Sequence, residues 1–78
     1  MSLIINGIYK HYKGKNYQVL NIARNTDSLD LYVVYKALYD DPTFGKNTVW
    51  IRKKDEFLEE IVDPLTKQKI KRFEFFNK

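Results

Sequence analysis

The chain of 78 residues reads as one domain at the low edge of what folds unaided, because a short chain buries a smaller share of its surface than a long one. It contains no cysteine and a single histidine, His11, which excludes disulfides, thiol nucleophiles, cysteine-based metal sites and a histidine-rich metal centre. Fourteen basic against ten acidic residues give a net charge of +4, a mixed surface that admits steering toward an anionic partner but is equally what solubility asks for.

The opening Met1 to Ile5 has neither the basic start nor the long apolar stretch of a secretory leader. The first six residues are expected to lie outside the folded part of a single domain spanning 1–78. No apolar run approaches the ~20 residues that span a bilayer, so the expected location is the cytoplasm, without membrane contact. Residues 7–12 read as a first strand, with Ile8, Lys10 and Tyr12 on one face and Tyr9 and His11 on the other. Residues 13–16 are a turn in which Gly14 supplies positive φ. A second strand covers 17–24, with Val19 and Ala23 on one face and Leu20 and Ile22 on the other. Asn25, Thr26, Asp27 and Ser28 are the clearest loop signal, since short polar side chains bond their own backbone. Residues 31–39 are the strongest strand, with apolar groups on both faces and so a central place. A long polar loop with Pro42 and Gly45 follows, then a fourth strand over 48–52. Residues 54–60 suit one or two helical turns, with Asp55 and Glu56 at the positive end of the dipole and Phe57, Leu58 and Ile61 directed inward. Asp63-Pro64 opens another turn, and 70–76 end the chain as a strand. The expected fold is therefore mainly β: a small five-stranded SH3-like barrel with one short helix before the last strand.

His11 is the natural general base, yet a histidine base needs a nucleophile and a carboxylate to orient it, and the serines are only Ser2 and Ser28. The adjacent carboxylates Asp40-Asp41, Asp55-Glu56 and Glu59-Glu60 point apart on a strand and do not face each other on a helix. No calcium loop and no phosphate-gripping glycine loop is present. The sequence thus predicts no enzyme, no cofactor and no metal. Rings interleaved with cations are more telling: residues 9–13, Tyr35-Lys36 and 50–54. A core use of those rings competes with two binding uses, a peptide groove and a single-stranded nucleic-acid platform.

Three blocks carry a family resemblance. Gly7-Ile8-Tyr9-Lys10-His11-Tyr12-Lys13-Gly14 with Tyr17-Gln18-Val19-Leu20, then Val33-Val34-Tyr35-Lys36-Ala37-Leu38-Tyr39, then Trp50-Ile51-Arg52 with Phe57, resemble a small bacterial family, domain of unknown function 1653. The resemblance runs over residues 7–76 and implies a compact stand-alone domain with no activity to carry over. Against the family pattern, Asn25 replaces a usual histidine, Lys53 replaces a usual proline, and the loop 41–47 is longer.

The favoured expectation is a non-catalytic binding or adaptor module for a protein or peptide, acting as a monomer or weak dimer. Tyr9, His11, Tyr35, Trp50 and Arg52 should then form one partly exposed patch, with Arg24 as a further binding candidate. The second expectation is single-stranded nucleic-acid binding through the same groups. The third is a small-molecule binder or enzyme using His11 with Arg24 and Asp27.

Overall fold

The computed structural model describes residues 3–77. In chain order these form β1 (Ile8–His11), β2 (Asn16–Arg24), β3 (Leu31–Ala37), β4 (Asp40–Asp41), β5 (Gly45–Lys46) and β6 (Val49–Lys53). A single short helix, α1 (Lys54–Leu58), then leads to β7 (Glu60–Val62), β8 (Lys69–Lys71) and β9 (Phe73–Asn77). Five strands build one antiparallel sheet in the order β6-β3-β2-β1-β9, while β4 pairs β5 and β7 pairs β8 as separate two-stranded ladders.

The local reasons are visible in the backbone. Gly14, at φ +103°, donates to the His11 carbonyl at 2.7 Å and closes the β1–β2 turn, where a Cβ would be strained. The Asn25 side chain accepts from the N–H groups of Asp27 (2.8 Å) and Ser28 (3.0 Å), so the β2–β3 loop is held by its own polar side chain. In β3, Val33, Tyr35 and Ala37 alternate as buried groups, the period-two signature of a strand with one face on the core.

One residue of β2 breaks that period. Val19 opposes Tyr35, but Asn21 opposes Val34, leaving Leu20 without a partner in the ladder. This bulge returns Ile22, opposite Val33, to the face of Val19, whereas strict alternation had separated them.

The core is Tyr9, Val19, Val33, Tyr35, Phe57 and Phe73, with Leu3, Tyr17, Trp50 and Leu58 packed around it. Phe57, fully buried on α1, stacks on Phe73 at 4.0 Å and 5° and meets Tyr9 and Tyr35 edge-on. The expected closed barrel does not form. β6 and β9 stand at opposite ends of the sheet order and share no ladder. The chain leaves β6 straight into α1, and side chains span the space between the edges: Phe57 on Phe73, and the Arg52 guanidinium 5.8 Å from the Phe73 ring centre.

The C-terminal half departs from the expected helix and single last strand. Helix α1 stops at Leu58, and Ile61 joins β7 opposite Ile70 instead of continuing an apolar helix face. The strand expected over 70–76 divides at Arg72. Its N–H donates to the Glu59 carbonyl (3.1 Å) and its own carbonyl accepts from Tyr12 (3.0 Å), so the chain passes there from the β7–β8 hairpin into the main sheet. At the other terminus, Leu3 packs on the core and the Asn6 N–H donates to the Val19 carbonyl at 2.7 Å. Residues 3–6 are thus tied to the sheet, and Met1 and Ser2 lie outside the described residues.

Candidate functional site

Pairing between β3 and β6 places Trp50 opposite Tyr35 and Arg52 opposite Val33, so both outer residues share the core-facing side of the sheet. Tyr17 occupies the same side of β2, opposite Ala37. Tyr39, two residues beyond Ala37, reaches Tyr17 hydroxyl to hydroxyl at 2.8 Å. Tyr17, Tyr35, Tyr39, Trp50 and Arg52 thereby line a cleft of about 210 Å³.

The cleft has rigid walls. The Tyr17 ring meets Tyr35, Tyr39 and Phe73 edge-on at 5.4, 5.5 and 5.7 Å. Trp50 is half-buried and meets the exposed ring of Phe44 edge-on at 5.2 Å. Burial and the hydrogen bond from or to Tyr39 push the Tyr17 phenol well above its ordinary pKa, so this hydroxyl stays neutral and available for hydrogen bonding.

Arg52 supplies the charge. Its Nε donates to the Tyr35 hydroxyl at 3.4 Å, and its guanidinium lies over Phe73. Arg52 as a whole residue is half-buried, and among the described residues the ion pairs are Lys53–Asp30 and Arg72–Glu59, neither of which involves it. Among the described residues no carboxylate lines the cleft, and the Lys15 ammonium sits 5.0 Å from the ring centre of Tyr39, one of its lining side chains.

His11 stands one ring away, 6.4 Å from Tyr17 and 4.8 Å from Phe73 between centres. Its Nδ1 accepts from the Lys13 N–H at 3.1 Å, which assigns the neutral imidazole with its proton on Nε2. Burial and then the cations Arg52, Arg72 and Lys13 hold its pKa below the usual histidine value. The charged groups that shift it are all positive, and among the described residues no carboxylate is hydrogen-bonded to it to orient it as a base, although it shares the lining of a groove with Glu60 and Glu74.

The structure brings together Tyr35, Trp50 and Arg52 and places His11 beside them. It does not bring in Tyr9, which is 5% exposed, turned into the core, and bonded through its hydroxyl to the Ile4 N–H at 3.0 Å. Tyr35 is also 5% exposed, although it is among the residues lining the cleft and its hydroxyl accepts from Arg52. The single partly exposed patch is therefore corrected to a smaller cleft, because a chain this short spends most of its rings on its core. Arg24 lies at the far end of β2, donating to the Leu29 carbonyl at 2.8 Å. Arg24 is nine residue steps along β2 from Lys15, the backbone partner of His11, or roughly 30 Å at ~3.3 Å per step. That distance removes the combination of His11 with Arg24 and Asp27. Tyr17 and Tyr39 were missed as site residues; continuing the alternation of Tyr35 and Ala37 by one more step would have found Tyr39.

A larger groove of about 450 Å³ runs beside β1 and β8. His11 and Tyr12 line it together with lysines and glutamates; Lys10 stands opposite Glu74 and Lys71 opposite Glu60 in the strand ladders, so these charges largely offset one another. Among the described residues no group of three or more His, Cys, Asp or Glu is placed to hold a metal ion, and no helix is long and apolar enough to cross a membrane.

Fold and cleft together define a small, mainly-β domain built on one open antiparallel sheet. The chain belongs to the family described as "Protein of unknown function (DUF1653)", whose model matches residues 7–75. The crystal structure of a Bordetella bronchiseptica protein belonging to DUF1653 resembles it with a TM-score of 0.79 at 26% identity, over 95% of this chain and 88% of that one. No curated protein matches the chain.

Proposed function

We propose that this domain is a non-catalytic binding module that takes a peptide segment of a protein partner into the cleft between Trp50, Arg52, Tyr17 and Tyr39. The observation that carries the reading is Arg52: a half-buried residue whose guanidinium lies among rings, without a carboxylate partner among the described residues. A partly desolvated cation left without a counter-charge is held at an energetic disadvantage that an incoming ligand relieves. Rigid aromatic walls add contact area at little conformational cost, as is usual at recognition sites. The module works as a cytoplasmic monomer or weak dimer, with the short β6 and β9 edges leaving room for self-association.

Single-stranded nucleic acid is the second reading, favoured by the cations over rings at Lys13–Tyr12 and Lys15–Tyr39. Stacking of bases needs free ring faces. Phe57 and Phe73 stack on each other and Tyr9 and Tyr35 are buried, which leaves the exposed rings of Tyr12, Phe44, Phe75 and Phe76 to stack on bases. Low-salt anisotropy with single-stranded RNA and DNA tests it, since such binding is strongest there.

Selection of a random peptide library on the full chain tests the first reading. Enriched peptides should share a pattern and lose at least tenfold in affinity on a folded Trp50→Ala variant. Failure to enrich, or peptides that bind the variant as well as the original, would remove it.

A further inference from the structure

The peptide-binding reading leaves open what Arg52 recognises, and the chemistry of the cleft narrows it. Four aromatic side chains around one pocket suggest a cage for a cationic ligand. Arg52 makes that occupant unfavourable, because it lines the same pocket, and a second cation, Lys15, already lies over the Tyr39 ring. The charge required is negative.

Guanidinium geometry selects further. Tyr35 engages only Nε, at a long 3.4 Å, and neither terminal nitrogen has a protein acceptor among the described residues. Two parallel N–H groups match the two oxygens of a carboxylate. A peptide C-terminus is usually captured by successive backbone N–H groups. Here the backbones of β2 and β3 are paired on both sides within the sheet, while β6, which carries Trp50 and Arg52, is an edge strand; capture of a terminal carboxylate by its free amides is the alternative that the test below separates. The larger groove beside β1 and β8 lacks this character, since Glu74 and Glu60 already stand beside Lys10 and Lys71 in the strand ladders.

We propose that Arg52 reads an acidic side chain of the bound peptide: the carboxylate docks on the guanidinium beside the Tyr17 and Tyr35 hydroxyls, and a neighbouring apolar group of the peptide lies against Trp50 and Phe44. This rests on the peptide-module reading and names its ligand. Phe44 is 60% exposed and edge-on to Trp50, an apolar shelf at the mouth of the cleft.

Trp50 is the single tryptophan, so its emission reports occupancy directly. The probes are three capped dipeptides, Ac-Phe-Glu-NH2, Ac-Phe-Gln-NH2 and Ac-Phe-Gln-OH, with phenyl phosphate as a phosphate arm. The expected result is a saturable emission change with Ac-Phe-Glu-NH2, at a Kd on the order of millimolar for so small a ligand. Ac-Phe-Gln-NH2 should bind at least tenfold more weakly. Arg52→Gln should erase the difference between these two, and Arg52→Lys, which keeps charge but not the fork, should restore part of it. Far-UV circular dichroism verifies that both variants fold.

Equal binding of acid and amide overturns the proposal. So does tighter binding of Ac-Phe-Gln-OH or phenyl phosphate than of Ac-Phe-Glu-NH2, or no saturable response to any probe. The two levels separate cleanly. An Arg52-dependent preference for the acid with no peptide enriched from the library removes the module and keeps the anion site. Enriched peptides that depend on Trp50 but not on Arg52 do the reverse.

Discussion

Replacing Phe57 by alanine should bring the whole domain to the edge of unfolding. The ring is fully buried, stacks on Phe73 at 4.0 Å, and meets Tyr9 and Tyr35 edge-on at 5.6 and 5.3 Å. A buried Phe→Ala change costs about 3–5 kcal/mol, combining lost transfer energy with the cavity left behind. At roughly 0.05–0.15 kcal/mol per residue, the total stability of 78 residues is only about 4–12 kcal/mol. With each kcal/mol worth about 4–8 °C for a domain this small, the melting temperature should fall by roughly 12–40 °C. Phe57→Leu retains most of the apolar volume and loses ring-on-ring contacts worth about 0.5–1.5 kcal/mol each, so it should fall in between. Urea unfolding followed both by circular dichroism and by Trp50 emission gives both values. A loss below about 1 kcal/mol for Phe57→Ala would show that α1 does not plug the open sheet.

Three further outcomes follow from the same geometry. Tyr17→Phe and Tyr39→Phe should each cost about 0.5–1.5 kcal/mol, and a double-mutant cycle should show coupling through the shared hydroxyl contact; strict additivity would deny the 2.8 Å bond. His11 has its folded pKa depressed, so the unfolded chain binds the proton more readily. Stability should therefore be fully present above the unfolded value of about 6.5 and fall as pH drops below it. Urea midpoints measured through that window should lose this slope in His11→Gln, and an unchanged slope would assign it to another group. Gly14→Ala meets no atom within 4 Å of the new Cβ but inherits φ +103°, so the loss, about 1–2 kcal/mol by chemical denaturation, should be purely conformational; no loss would mean that the turn rearranges.

Much of this architecture is written locally. Val33, Tyr35 and Ala37 announce their strand by alternation, Gly14 and Asn25 announce their turns, and Phe57 on an acidic-started helix points inward. The bulge at Leu20 was invisible, because an extra residue in one strand is defined only by the register of its partner. The division of the last strand at Arg72 was hidden for a similar reason: Glu59 and Tyr12, which take its two backbone groups, are remote in sequence. Composition showed that rings were plentiful but could not apportion them. Tyr9 went to the core, between the rings of Phe57 and Phe75, and Trp50 to its margin, where it also lines the cleft; which neighbours cover a ring is a tertiary fact. Arg52 was found from its neighbourhood in the sequence, whereas its missing carboxylate partner emerged only once the ion pairs were known.

The central claim is that ligand meets this domain at the Trp50–Arg52 cleft. An amide and indole NMR titration of the full chain with an enriched library peptide tests it most directly. The largest shifts should fall on the Trp50 indole N–H, the Arg52 Nε–H, and the backbone amides of Tyr17 and Tyr39. Shifts centred on Lys10, Lys69 and Lys71, in the groove beside β1 and β8, would contradict it.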